Sequence, residues 1–92
     1  AIFACSDYLA VGLLQHMHEN GVRIPEDISI VGFDDMPFSA LVDPPLTTVR
    51  QPIREMGRLA VEHLIGLLDG RDVPPLTRLP VELVLRNSVL YR

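Results

Sequence analysis

Ser29-Ile30-Val31-Gly32-Phe33-Asp34-Asp35 is the stretch on which the reading of this chain turns. A short apolar run with β-branched members, ending in glycine, an aromatic and two carboxylates, reads as a strand buried on both faces. Its carboxyl end opens onto a polar edge. In an open α/β sheet that edge is where ligands bind. Immediately upstream, 22–27 is a connector punctuated by Pro25, and the strand itself is expected over 28–33. Further back, the apolar run 1–5 stops at Ser6-Asp7, and either of these residues caps a helix by accepting a bond from a first-turn N–H. Apolar residues then recur at Ala10, Leu13, Leu14 and Met17, predicting a helix from Asp7 to about Asn20 with Gly21 as its left-handed stop. Two apolar strands joined through a helix make a parallel, right-handed β-α-β unit, so their carboxyl ends share one edge. Ser6 and Asp7 are thereby expected beside Asp34 and Asp35.

The helix has a second, narrower face of mixed polarity: Tyr8, Val11, Gly12, Gln15 and His18. Such a face suits a partly wet contact with another element or subunit, and it equally suits plain solvent exposure.

Downstream, 36–42 is expected to form a single helical turn. Asp43-Pro44-Pro45 forces the chain to turn or cross, since two prolines do not sit in a central strand. Leu46-Thr47-Thr48-Val49-Arg50 favours β structure, and Pro52 is expected at the first position of the longest helix. One face of that helix carries Ile53, Met56, Gly57, Ala60, Leu64 and Leu67 or Leu68, widened by Val61 and Ile65, and Gly70 ends it. After a turn-rich loop over 69–75, the run 79–85 reads as a strand with one wetter face. Three strong strands and a weaker one face two helices. A parallel sheet needs cover on both faces, so this inventory implies partner strands outside the chain.

At 92 residues and 48% hydrophobic, the chain is short for a domain and rich in apolar residues. It opens on an apolar run without methionine, charged leader or polar tail, which reads as a cut through a larger protein. No apolar run is long enough for a membrane span, and the chain reads as soluble. The single cysteine, Cys5, excludes an internal disulfide and reads as a small buried hydrophobe. Eight basic and twelve acidic residues give a net charge of −4, with no lysine and no arginine cluster, which argues against a nucleic-acid-binding surface in this segment. Catalytic readings fail on geometry. Adjacent Asp34 and Asp35 point to opposite sides and lack a third ligand or a phosphate-cradling glycine loop. His16 and His18 lie two apart on a helix and face apart. No cofactor is expected.

The sequences 1–12 (AIFACSDYLAVG), 21–35 (GVRIPEDISIVGFDD) and 44–52 (PPLTTVRQP), taken in order, resemble the lactose/galactose repressor (LacI/GalR) family of bacterial transcription regulators. The resemblance implies an α/β class with a partial three-layer α/β/α parallel sheet, a fragment of the two-lobed periplasmic-binding-protein-like fold. It implies that 1–45 belongs to the carboxyl-terminal lobe, 46–51 crosses the hinge, 52–75 belongs to the amino-terminal lobe, and 76–92 returns. In the family the aspartate after Gly-aromatic contacts the effector, often through sugar hydroxyls or a nucleobase; that position is Asp34. The polar residue before the helix start also faces the cleft; here it is Ser6, where asparagine is frequent. A serine reaches less far and offers one hydroxyl in place of an amide, which leaves the effector class open. Gln51 at the hinge crossing is either a third contact or an N-cap. Dimers of the family pair partly through the first helix, which implicates Tyr8, Val11 and Gln15. The implied protein is a cytoplasmic homodimer that binds a sugar-like effector and, through a helix-turn-helix absent from this chain, operator DNA; it is neither an enzyme nor membrane-bound.

Asp34 has a physical case of its own. A carboxylate accepts from two adjacent hydroxyls at once, and charge-assisted bonds of ~1.5–3 kcal/mol each orient a polyol. The plainer alternative is a strand-end aspartate capping its own loop. Asp35 reads as structural, turning the loop or pairing near the hinge. Two rival functions share the pattern: a periplasmic sugar-binding protein of a transporter, and a small doubly wound enzyme or signalling domain with a self-sufficient sheet.

Overall fold

The computed structural model describes residues 1–91 and divides into two compact units, Gln51–Val81 and the remainder. In the larger unit, β1 (Ile2–Phe3) leads into α1 (Asp7–Glu19) and then β2 (Ile30–Val31), and the strands pair in parallel with Ile2 opposite Ile30 and Phe3 opposite Val31. The β-α-β reading therefore holds. Regular strand is shorter than the apolar runs 1–5 and 28–33, yet the ladder continues past it through Asp7 N–H to Phe33 O at 2.9 Å.

Ser6 is the N-cap of α1, its hydroxyl accepting from the Leu9 N–H at 3.3 Å, and Gly21 closes the far end at φ 73°. The predicted stripe packs as expected: Ala10 and Leu14 are buried with Ala4, Ile30 and Leu46, while Leu13 and Met17 are partly buried against them.

On the other side of β2 runs the segment ending in β3 (Thr48–Arg50), joined by parallel bridges Val31 to Thr47 and Asp34 to Arg50. The Gly32 N–H donates to Thr47 O and the Asp34 N–H to Val49 O, each at 2.9 Å. β4 (Glu82–Val84) then pairs antiparallel with β3, so the purely parallel sheet expected from sequence gains an antiparallel edge. The tail beyond β4 is stitched in by buried Ser88, whose hydroxyl donates to Ile30 O and accepts from the Thr47 N–H. Pro37–Ala40 forms the expected short turn, as a 3-10 helix.

The smaller unit is built on α2 (Ile53–Leu68), which starts one residue later than expected, with Pro52 as its N-cap residue. Gly70 ends it at φ 74°. Arg58 pairs with Glu55 and Glu62 along one side. Much of the apolar stripe stays exposed among the described residues: Ile53, Met56, Val61, Leu64, Ile65, Leu67 and Leu68 are exposed, and within α2 Gly66 is buried. A hollow of about 230 Å³ lies within this unit between α2 and the 74–79 loop. Two other expectations are corrected. Cys5 is exposed, because it lies beyond the paired part of β1 where the chain turns into α1. The strand expected over 79–85 shrinks to Glu82–Val84, with Val81, Leu83 and Leu85 exposed.

Candidate functional site

The carboxyl edge of β1 and β2 is organised by Asp7, a carboxylate that the sequence places at this edge but with no role beyond a possible helix cap. Asp7 is fully buried. Its Oδ2 accepts from the Met36 N–H at 2.9 Å and from the Ser39 hydroxyl at 2.5 Å, and its Oδ1 accepts from the Thr48 hydroxyl at 2.6 Å. A buried carboxylate is costly unless its oxygens are satisfied, and here three donors from two segments, the 36–39 turn and β3, supply that satisfaction. Gly32 makes the room: a Cβ there would sit 2.2 Å from Asp7 Oδ1 and 2.9 Å from Leu46 Cδ2.

Next to this cluster the chain makes an unusual turn. Asp34 has φ 122° and Asp35 φ 56°, consecutive non-glycine residues in a region that L side chains rarely adopt. Asp34 is half-buried, with its backbone N–H held by Val49 O. Asp35 is held by two arginines. Its Oδ2 accepts from Arg50 Nε and its Oδ1 from Arg86 Nη2, both at 2.7 Å. Arg86 also reaches back through Nη1 to Leu46 O at 2.9 Å. Burial pushes the Asp35 carboxyl pKa up, but the hydrogen bonds and charges of Arg50 and Arg86 outweigh it and hold the group below the usual carboxylate range. Both Asp35 carboxylate oxygens are thus committed to ion pairs within the fold.

Ser6 and Asp34 each stand one residue from the Asp7 N–H to Phe33 O bond, so the two candidate contacts come to one edge as expected. Ser6 Oγ is partly committed to its cap. Gln51 opens the smaller unit; its carbonyl accepts from the Ile53 N–H at 2.9 Å, and the N-cap position falls to Pro52. The alternative of Gln51 as the cap of α2 is therefore set aside.

On α1, Tyr8 is 66% exposed and packs edge-on against Phe38 with ring centroids 5.1 Å apart. Val11 and Gln15 line a shallow depression of about 240 Å³ with Leu14, His18, Val42 and Asp43. Among the described residues no group of His, Cys, Asp and Glu is arranged to hold a metal ion, and no helix is long and apolar enough to cross a membrane.

The model of the periplasmic binding protein-like domain family matches residues 1–89. The helix-turn-helix-type transcriptional regulator GalR of Streptococcus thermophilus is 46% identical over 96% of this chain and 27% of its own length. The chain thus spans about a quarter of that relative. Among solved structures, the lac repressor dimer bound to operator and the anti-inducer ONPF superposes with a TM-score of 0.89 at 38% identity, covering 97% of this chain and 31% of that one. A LacI family regulator from Enterococcus faecium with bound ribose gives a TM-score of 0.85 at 38% identity, covering 95% and 33%.

Proposed function

The chain belongs to the periplasmic-binding-protein-like domain family in its LacI/GalR regulator branch, and from that premise we propose that it is the effector-binding and dimer-forming part of a DNA-binding transcriptional regulator. The observation that carries the reading is the Asp34 turn: a carboxylate at the carboxyl edge of a parallel pair, on a strained backbone pinned from both flanks. Strain of this kind persists where the surrounding structure over-determines it, and it clusters at ligand sites. The effector is a small polyhydroxylated molecule, with Asp34 accepting from its hydroxyls, Ser6 offering one hydroxyl, and Gln51 a third contact. Ribose in the Enterococcus faecium regulator is a ligand of this chemistry.

The lobe assignments of 1–45, 52–75 and 76–92, with 46–51 as the crossing, form part of the same reading, as do pairing of two copies through Tyr8, Val11 and Gln15 and residence in the cytoplasm. The chain contributes recognition rather than catalysis. Regulation follows from linkage: an effector that prefers one arrangement of the sensor biases the DNA-binding heads by its differential affinity. The regulator relatives favour this over a transporter's sugar-binding protein.

The test is Asp34→Asn in the intact regulator. Asparagine is isosteric and tolerates positive φ, so the turn survives while the charge is lost. Effector binding is expected to weaken about tenfold or more, the equivalent of ~1.4 kcal/mol, with operator binding by the effector-free protein retained. Unchanged effector affinity would remove Asp34 from the site.

A further inference from the structure

We propose that Asp7 is a positioning residue for effector recognition: through the Thr48 hydroxyl and the Met36 N–H, its buried carboxylate sets the conformation in which Asp34 is presented. The proposal rests on the reading of Asp34 as an effector contact. Asp7 is fully buried, so it acts on a ligand only through other groups.

The connections run in a definite direction. The Asp35 N–H donates to Thr48 Oγ1 at 3.4 Å, and the Thr48 hydroxyl donates onward to Asp7 Oδ1 at 2.6 Å. One residue later the Met36 N–H donates directly to Asp7 Oδ2, and the Ser39 hydroxyl joins it on the same oxygen. Asp7 therefore anchors the turn just past Asp34 by two routes. The turn is the part of the backbone that needs anchoring, because Asp34 and Asp35 both hold positive φ without glycine. Thr48 lies in β3, and Arg50 at the end of that strand grips the Asp35 carboxylate. The same carboxylate thus aligns β3 with the turn.

A hydroxyl that accepts from one group while donating to an anion is polarised by it, so the relay through Thr48 is stronger than either bond alone. Removing the hydroxyl while keeping the shape of the side chain isolates this function. Thr48→Val does so, and Thr48→Ser returns the hydroxyl without the methyl.

The experiment compares the intact regulator with its Thr48→Val, Thr48→Ser and Asp7→Asn variants. Amide hydrogen exchange is read at Asp35 and Met36, with Ala10 and Leu14 in α1 as internal controls. Binding is titrated with D-ribose, D-galactose, lactose and adenosine. Thr48→Val is expected to accelerate exchange at Asp35 and Met36 about tenfold and to weaken binding of the preferred probe about tenfold, the worth of one charge-assisted bond. Exchange at Ala10 and Leu14 stays at the parent rate, Thr48→Ser restores both readouts to within about twofold, and Asp7→Asn acts in the same direction as Thr48→Val. Parent-like exchange and affinity in Thr48→Val would overturn the proposal. Acceleration that spreads equally to Ala10 and Leu14, or that serine fails to rescue, would reduce the cluster to a packing role and overturn it too. If the parent binds none of the four probes, the effector reading fails for those ligand classes, while the exchange measurements still decide whether Asp7 governs the turn.

Discussion

Gly32 and Asp7 are two halves of one requirement. The carboxylate occupies the volume that any side chain at position 32 would need, and it has no freedom to leave because three donors hold it. Gly32→Ala is therefore expected to destabilise the intact protein by about 3 kcal/mol, the upper end of overpacking costs, read as a lowered urea midpoint. A parent-like midpoint would show that the cluster yields easily. Asp35 makes a different demand. Its pKa is depressed in the folded protein, so its contribution is present above the unfolded value of ~3.9 and is lost as pH falls through the folded one. Arg86 is the more enclosed partner, with its side chain 16% exposed against 49% for Arg50. Arg86→Ala is expected to cost about 2 kcal/mol at neutral pH, and Arg50→Ala distinctly less, because solvent screens that pair. The stability curves of parent and Arg86→Ala should converge in acid as Asp35 takes up its proton; a gap that persists at the lowest pH would mean that Arg86 acts through Leu46 O and packing instead.

At the scale of elements, local chemistry told most. Ser6 as cap, Gly21 and Gly70 as stops, and the Ala10, Leu13, Leu14, Met17 stripe all follow from rules spanning one helical turn, and the structure keeps them. What local pattern could not convey is who meets whom across the chain. Asp7 bonds Thr48 at a separation of 41 residues and Asp35 bonds Arg86 at 51, and no spacing in the sequence encodes those pairings. Gly32 was the available signal, a glycine inside a strand pattern that marks close approach by another group. On α1 the face of Tyr8, Val11 and Gln15 stands beside the depression that Val11 helps to line. If this face joins two copies of the protein, Val11→Arg places an unpaired charge in the contact. Sedimentation of the intact protein should then shift from dimer to monomer, with α1 still folded because Val11 lies off the buried Ala10 and Leu14 stripe. An undisturbed dimer would assign the interface elsewhere.

At the scale of the whole molecule, the two units differ in what they bury. The larger has a continuous core of Ala4, Ala10, Leu14, Ile30 and Leu46, supported by buried polar side chains that all have hydrogen-bond partners among the described residues. In the smaller, α2 spans 16 residues and buries Gly66, against an exposed stripe of seven large apolar side chains. Helices of about this length are marginal in water without packing, and each large apolar side chain left wet forgoes ~1.5–3 kcal/mol. The sequence reading expected missing partner strands for the sheet; the exposed apolar surface that the structure shows is largest on α2. The expected consequence is unequal protection when the 92-residue chain is prepared alone. Amides of α2 should exchange far faster than those of α1, and an apolar dye should bind the isolated chain. In the intact protein the α2 amides should approach the protection of α1. Equal, strong protection of both helices in the isolated chain, with a single cooperative urea transition and no dye binding, would mean that α2 finds its cover within these residues and that the chain is a self-sufficient domain.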